Sequence, residues 1–311
     1  MAALNDTLRI LPVRDSSSLS LDLQALLLDA QARNLAPGSV RFYRQKLRPL
    51  VAFLEGCGVR HTEDVQVGHL RQWLVRLQMA NHTPGGVHAF YRSAKAWFSW
   101  LTAEEVISAN PMARVRSPRV PEEQLEPVTV DEVRALLAVC DPRYPTGARD
   151  RAILLCLWDT GCRASELVAL DVGDVDLATG AVVVRCGKGG KLRVTFLGVR
   201  ARRELLRYLR TREGAEPTAP LFATVDGGRL KYTGLRDVIR RRAQAAGIAA
   251  PCLHAFRRAF ALDSLRNGAD IISLQRLMGH SGLGVLQRYL RQTQDDLQRV
   301  HEQTGPVDRL L

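Results

Sequence analysis

A mainly α-helical chain with one small β-hairpin is the fold class that this sequence predicts, and three observations predict it. Four apolar stripes at helical spacing run through residues 21–101, separated by turn residues. A stretch rich in proline and arginine follows at 110–127. Beyond it, the strand-like runs 182–186 and 192–196 flank Gly187-Lys188-Gly189-Gly190 as a hairpin would, and no strand–helix alternation of the kind a parallel sheet needs is present.

Taken in order, the first stripe is Leu23, Leu26, Leu27 and Ala30. The second, after Pro37, is Val40, Leu47, Leu50, Val51 and Leu54, and Gly56 and Gly58 end it. Leu70, Trp73, Leu74 and Leu77 make the third. Val87, Phe90, Tyr91, Ala94, Phe98 and Leu101 make the fourth, after the break at Pro84-Gly85-Gly86. Such stripes bury against one another, so residues 21–109 are expected to form a helical bundle behind an N-terminal extension, 1–20. Pro111, Pro118, Pro121 and Pro127 mark 110–127 as an extended linker. A second domain, 128–292, opens on the capping-box spacing Thr129-Val-Asp-Glu132 and continues with a largely buried helix that stops at Gly161. Residues 293–311 form a tail with apolar positions at Leu297 and Val300.

The charge balance narrows the partner. The chain has 311 residues with 44 Lys plus Arg against 32 Asp plus Glu, a formal charge of +12, and only five of the basic residues are lysine. Residues 1–120 hold 15 basic against 9 acidic, so the excess is shared equally between the two parts. Arginine's planar fork matches phosphate oxygens in pairs, which makes a polyanion the leading partner against the alternative of an ordinary solvated surface. Arg41, Arg44, Lys46, Arg48, Arg92 and Lys95 sit at positions of the bundle expected to be exposed, Arg114, Arg116 and Arg119 lie in the linker, and Lys191 lies in the hairpin. No run approaches the roughly 18 apolar residues of a membrane span, and the apolar run at Ile10-Leu11 is too short for a signal peptide, so the expectation is a cytoplasmic protein without a membrane partner. Six cysteines without CxxC spacing read as buried thiols, and no metal site is expected.

Several motifs fail on their context. Lys191 is followed by Leu192 and a strand, so Gly187–Lys191 is no Walker loop. Asp171, Asp174 and Asp176 lack the spacing of a calcium loop and read as turn and cap residues. Gly279-His-Ser-Gly282-Leu-Gly284 follows a helix instead of opening one after a strand, which argues against a dinucleotide site.

A different constellation fits together. Arg163 stands between a glycine helix end and the next helix, on a rigid corner. His254 and Arg257, three residues apart, share one helix face. His280 follows a helix end at Gly279, and Gly282 and Gly284 break the chain before Tyr289, so that both can turn into one site. Singly, each has an ordinary alternative: a surface arginine, a satisfied histidine, a tyrosine packed between helices. As a set, in the order Arg, Lys, His-x-x-Arg, Gly-His, Tyr, the sequence resembles the tyrosine recombinases, the integrase and Xer family of site-specific DNA recombinases. The motifs that carry the resemblance are TGCRASEL around Arg163, GKGGK around Lys188, HAFRR around His254 and Arg257, LMGHSG around His280 and QRYL around Tyr289. Departures are Arg258 where members often have His, Val285-Leu286 where they often have a threonine-rich stretch, and Leu290-Arg291 after the tyrosine.

The resemblance implies a helical core DNA-binding domain followed by a tyrosine-recombinase catalytic domain, acting on double-stranded DNA at a specific target site. It implies that Tyr289 attacks the scissile phosphate to give a 3′-phosphotyrosyl link, with exchange through a Holliday junction. Arg163 and Arg257 would clamp the phosphate, His280 would add a donor, Lys188 would protonate the leaving 5′-oxygen, and His254 would assist proton removal from Tyr289. Glu166 is a supporting candidate that would orient Arg163 or another group of the site. No cofactor and no metal are called for, since the arginines supply the positive charge. A homotetramer on two sites, or a hetero-oligomer with a paralogue, is implied, with the tail docking on a neighbouring protomer and the protein associated with the nucleoid. A type IB topoisomerase and a catalytically silent DNA-binding protein are the competing readings; the complete residue set argues against the second.

Overall fold

The computed structural model describes residues 19–121, 126–185, 192–279 and 302. The chain divides into two compact units, Met1–Glu123 and Gln124–Leu311.

In the first unit the four stripes become four helices: α1 (Leu19–Ala32), α2 (Pro37–Gly56), α3 (Val67–Met79) and α4 (Pro84–Ala103). Their starts and stops follow from local chemistry. Pro37 and Pro84 occupy the first helical turn, where the absent N–H costs nothing, and Thr83 caps α4 by accepting from the Gly86 N–H at 3.1 Å. Asn34 and Asn81, after α1 and α3, take left-handed backbone conformations that asparagine tolerates. All residues named in the four stripes are buried, and Trp97, absent from the fourth, joins them fully enclosed beside Phe98 and Leu101. The buried Asp22 carboxylate accepts from the Thr62 hydroxyl at 2.8 Å, tying the loop after α2 to α1.

The start of the proline-rich stretch differs from an extended linker. Pro111–Arg114 form a short 3-10 turn capped by Asn110, and Met112 and Val115 are buried in the bundle core. The Tyr91 hydroxyl donates to the Val115 carbonyl at 3.1 Å and Arg71 donates to the Arg114 carbonyl at 3.3 Å, so the chain remains docked through Val115. Two apolar side chains among the prolines and arginines are enough to hold it down.

The second unit comprises α5 (Val130–Ala138), α6 (Pro145–Thr160), α7 (Ala164–Leu167), β1 (Ala181–Val184), β2 (Arg193–Phe196), α8 (Val199–Arg210), α9 (Tyr232–Ala246), α10 (Leu253–Arg266) and α11 (Ile271–Met278). The Thr129 capping box forms in full, with the Thr129 N–H donating to Glu132 at 2.7 Å and the Glu132 N–H to the Thr129 hydroxyl at 3.2 Å. α6 is the central helix. It packs against α8 and α10, and Ala152, Ile153, Leu154, Cys156 and Leu157 are buried around it. Its buried Asp150 is neutralised by Arg149 at 2.9 Å and by Arg242 of α9 at 2.7 Å. β1 and β2 pair antiparallel, Ala181 opposite Phe196 and Val184 opposite Arg193, and β2 contacts α11. Asp171 and Asp174 close a reciprocal cap over a short 3-10 turn. Of the described cysteines, Cys140, Cys156 and Cys162 are buried, whereas Cys57 and Cys252, the cap residues of α2 and α10, are exposed, and Cys186 lies outside the described residues.

Candidate active site

Arg163 is placed by the end of α6. Gly161 takes a left-handed conformation (φ 59°) that a side chain would strain, and a Cβ there would lie 2.3 Å from the Phe260 ring, so glycine is required twice over. Thr160 steadies the corner by donating to the Cys156 carbonyl at 2.6 Å and accepting from the Cys162 N–H at 3.2 Å. Arg163 then leaves in extended conformation as the N-cap of α7, which begins at Ala164.

Glu166 holds Arg163 twice. Its carboxylate accepts from the Arg163 backbone N–H at 2.7 Å and from the guanidinium Nη1 at 2.8 Å. The Glu166 side chain is 3% exposed and that of Arg163 is 31%, so the carboxylate anchors the base of a guanidinium that still reaches solvent. Burial works to raise the Glu166 pKa, but hydrogen bonds and charge from Arg193 and Arg163 outweigh it and hold the carboxyl below the ordinary glutamate range. Arg193, on β2, donates from Nη1 and Nη2 to the two Glu166 oxygens at 3.1 and 2.6 Å, and from Nε to the Leu277 carbonyl at 3.0 Å.

His254 and Arg257 lie one turn apart in α10. Arg257 is 1% exposed. Its Nη1 donates to the Gly161 carbonyl and its Nη2 to the Met278 carbonyl at 2.7 Å, joining the end of α6 to the end of α11. His254 keeps an exposed edge, yet partial desolvation and then the positive charges of Arg258, Arg257 and Arg163 push its pKa below 6.5. The histidine and the two arginines expected to share a site therefore occupy one electrostatic neighbourhood. Arg258 is buried, with Nη2 at 3.3 Å from the Cys252 sulfur.

Lys188, Lys191, His280 and Tyr289 lie outside the described residues, as do Val285-Leu286 and Leu290-Arg291 and all of the tail except Glu302. The described chain brings the flanks of the lysines and the residue before His280 together. β1 and β2 bracket the lysines, and Arg193 and Arg257 both grip the end of α11, next to which Gly279 (φ 65°) precedes His280. Sequence reasoning missed Arg193. Its signal was the alternation of β2, in which residue 193 shares a face with the buried Thr195, and a charged side chain on a buried strand face calls for a carboxylate partner.

Of the basic candidates in the first unit, Arg41 and Arg48 on α2, Arg92 and Lys95 on α4, and Arg114, Arg116 and Arg119 are exposed. Arg44 and Lys46 are half-buried, and the Lys46 ammonium lies 4.0 Å from the centre of the Phe90 ring, a cation–π contact that draws it off the open surface. No helix of the described residues is long and apolar enough to cross a membrane.

This arrangement has counterparts among known proteins. Residues 126–295 match the model of the phage integrase family. The chain is 34% identical over 280 residues to tyrosine recombinase XerC 2 of Ralstonia nicotianae, covering 86% of this chain and 81% of that protein. It is 33% identical over 304 residues to tyrosine recombinase XerD of the same organism, covering 95% and 96%. Among solved structures, the Tn1549 transposon integrase in complex with a circular intermediate DNA superposes with a TM-score of 0.72 at 19% identity, covering 93% of this chain and 99% of that one. A lambda integrase dimer bound to a core site superposes with a TM-score of 0.71 at 17% identity, covering 86% and 96%. The helical fold with its two-stranded sheet is thus that of the integrases, and the corner that presents Arg163 beside His254 and Arg257 is built within the matched segment. On the family match and the identity to the Xer proteins together, the chain belongs to the phage integrase family and is a site-specific tyrosine recombinase.

Proposed function

We propose that this recombinase cuts and rejoins duplex DNA with Tyr289 as nucleophile, Arg163 and Arg257 as the phosphate clamp, His280 as an additional donor, Lys188 as the acid for the leaving 5′-oxygen and His254 as the group that accepts the tyrosine proton. The observation that carries the reading is the convergence of Arg163, His254 and Arg257 around the ends of α6 and α11, with Glu166 holding Arg163 from below. On this reading the two guanidiniums, carried by different elements, would bind the non-bridging oxygens and stabilise the charge of the pentavalent transition state, with Arg163 the one that reaches solvent and Arg257 the buried one that ties the helix ends together. A phenol with an ordinary pKa near 10 needs help to lose its proton, and an imidazole whose pKa is lowered by partial desolvation and then by the charges of Arg258, Arg257 and Arg163 favours its neutral, proton-accepting form. The attacking phenolate oxygen forms a bond to phosphorus as the bond to the 5′-oxygen breaks. That oxygen gains a proton from Lys188 and leaves as a hydroxyl, and attack by the 5′-hydroxyl of another strand reverses the step without external energy.

On this reading the exposed basic residues of α2 and α4, with Arg114, Arg116 and Arg119, contact the DNA backbone and set the salt dependence of binding. Four protomers would assemble on two target sites, as a homotetramer or with a paralogue, the tail 293–311 packing on a neighbour, in the cytoplasm and on the nucleoid. The domain plan is a core-binding bundle, 21–109, a linker, 110–127, whose first residues dock back on the bundle, and a catalytic domain, 128–292.

The test is covalent capture. The protein is incubated with long randomised duplexes, denatured, and the DNA that stays attached is sequenced and the attached peptide identified. A recurrent DNA sequence joined at its 3′ end to Tyr289 is expected. Attachment elsewhere, or none, overturns the assignment, and relaxation of plasmids that lack the captured sequence would indicate topoisomerase behaviour.

A further inference from the structure

We propose that Arg193 is a positioning residue of the strand-transfer site, holding Arg163 and the approach to His280 in one register through Glu166 and the Leu277 carbonyl; the inference rests on the function proposed above. Three donors of one planar guanidinium are used on two different elements: Nη1 and Nη2 take both oxygens of Glu166 at 3.1 and 2.6 Å, and Nε takes the carbonyl of Leu277 at 3.0 Å. The Arg193 side chain is 8% exposed and lies behind the carboxylate that grips Arg163. The close fit extends to Gly279, where a Cβ would stand 2.8 Å from the Arg193 Cδ, so the residue just before His280 is shaped around this arginine.

The arrangement has an electrostatic consequence. Glu166 paired with Arg163 alone would cancel the positive charge that the phosphate is meant to meet. With Arg193 on the same two oxygens, the trio carries one net positive charge, and Arg163 is the member that reaches solvent, 31% exposed against 8% for Arg193. Arg193 therefore supplies Glu166 with its counter-charge, and Glu166 can orient Arg163 without neutralising it. It also supplies geometry: a fork can bridge a carboxylate and a third acceptor, whereas a lysine ammonium is a point charge on a flexible stem. Arg193 acts through Glu166 and the helix end and need not touch the DNA.

The test uses the full chain, a duplex recovered by covalent capture, and a matching duplex with methylphosphonate at the scissile position, which removes the non-bridging negative charge that the clamp meets. Single-turnover cleavage, DNA affinity and thermal melting are measured for Arg193→Gln and Arg193→Lys. Arg193→Gln, which loses the charge, should bind DNA as wild type does and cleave about 10²-fold more slowly, and its deficit should shrink on the methylphosphonate. Arg193→Lys, which keeps the charge and loses the fork, should cleave roughly tenfold more slowly on both duplexes. A merely structural role would slow both duplexes alike in the Gln variant, in step with lost folded protein, and that result overturns the proposal. So does wild-type cleavage by either folded variant. If Arg193→Gln does not fold, the Lys variant decides alone: slowed cleavage by folded protein supports the proposal and an unchanged rate overturns it. Failure of wild type to form any Tyr289-dependent adduct would instead overturn the function itself, and the role of Arg193 with it.

Discussion

Arg257 and Met278 are joined by a hydrogen bond of 2.7 Å, from the guanidinium Nη2 on α10 to the carbonyl that ends α11. The same side chain donates through Nη1 to the Gly161 carbonyl, where α6 ends. A buried arginine thus spans the two helix ends next to which Arg163 and His280 stand in the sequence. Arg257→Lys keeps the charge but can satisfy only part of that geometry. Cleavage should fall about 10²- to 10³-fold, as when a preorganised donor to the transition state is lost, while DNA binding is nearly retained. Single-turnover cleavage against a binding isotherm checks this, and equal losses in both would place Arg257 in binding instead.

Gly161 should tolerate no side chain. Gly161→Ala places a Cβ 2.3 Å from the Phe260 ring at a φ of 59°. Left-handed strain costs about 1–2 kcal/mol and overpacking about 1–3 kcal/mol more. Urea unfolding of the full chain should show a destabilisation of that order, and cleavage should fall further than stability because Arg163 and the Arg257 acceptor move with the corner.

The pH dependence of cleavage should carry the mark of His254. Its pKa lies below 6.5, so the imidazole is neutral, and able to accept the tyrosine proton, at all higher pH. Cleavage should be lost only as pH falls through the depressed value, placing the acid limb below 6.5. The stability that depends on a neutral His254 has the same sign: it is fully present above 6.5 and lost as pH falls through the folded value. Arg258→Gln removes the largest of the neighbouring charges and should move the acid limb upward. A limb that stays in place would exclude His254 as the group that titrates.

Lys188 and Lys191 can be told apart by chemistry. Lys188→Ala should slow cleavage by roughly 10² to 10⁴-fold if the lysine is the acid, and Lys191→Ala much less. Replacing the 5′-bridging oxygen with sulfur gives a leaving group that needs no proton, so cleavage by Lys188→Ala should recover towards wild type. Arg163→Ala and Arg257→Ala, which lose charge stabilisation, should recover much less. Equal rescue of the arginine variants would remove Lys188 from the role of acid.

Particular elements show what was legible in the sequence. The four stripes of the first unit could be read because each repeats at helical spacing between strong stops, and every residue assigned to them is buried. The Thr129 box and the Gly161 stop were legible for the same local reason. Met112 and Val115 were not, because two isolated apolar residues among prolines have no period to reveal that they dock on the bundle. Lys46 read as a surface charge because nothing local announces that Phe90, 44 positions later, will lie beneath it. In the site, Arg163, His254 and Arg257 could be singled out by their motifs, but what joins them could not. The Arg193–Glu166 pair spans 27 residues and the Arg257 bonds to Gly161 and Met278 span 96 and 21, distances at which only tertiary structure chooses the partner.

The central claim is that Tyr289 is the nucleophile of a site whose clamp is Arg163 and Arg257. The most direct measurement is covalent capture of duplex DNA by Tyr289→Phe beside wild type, with binding followed in parallel. Removing one oxygen while keeping the ring should leave DNA affinity and assembly intact and abolish the 3′-linked adduct. An adduct that persists in Tyr289→Phe would contradict the account and move the nucleophile to another residue.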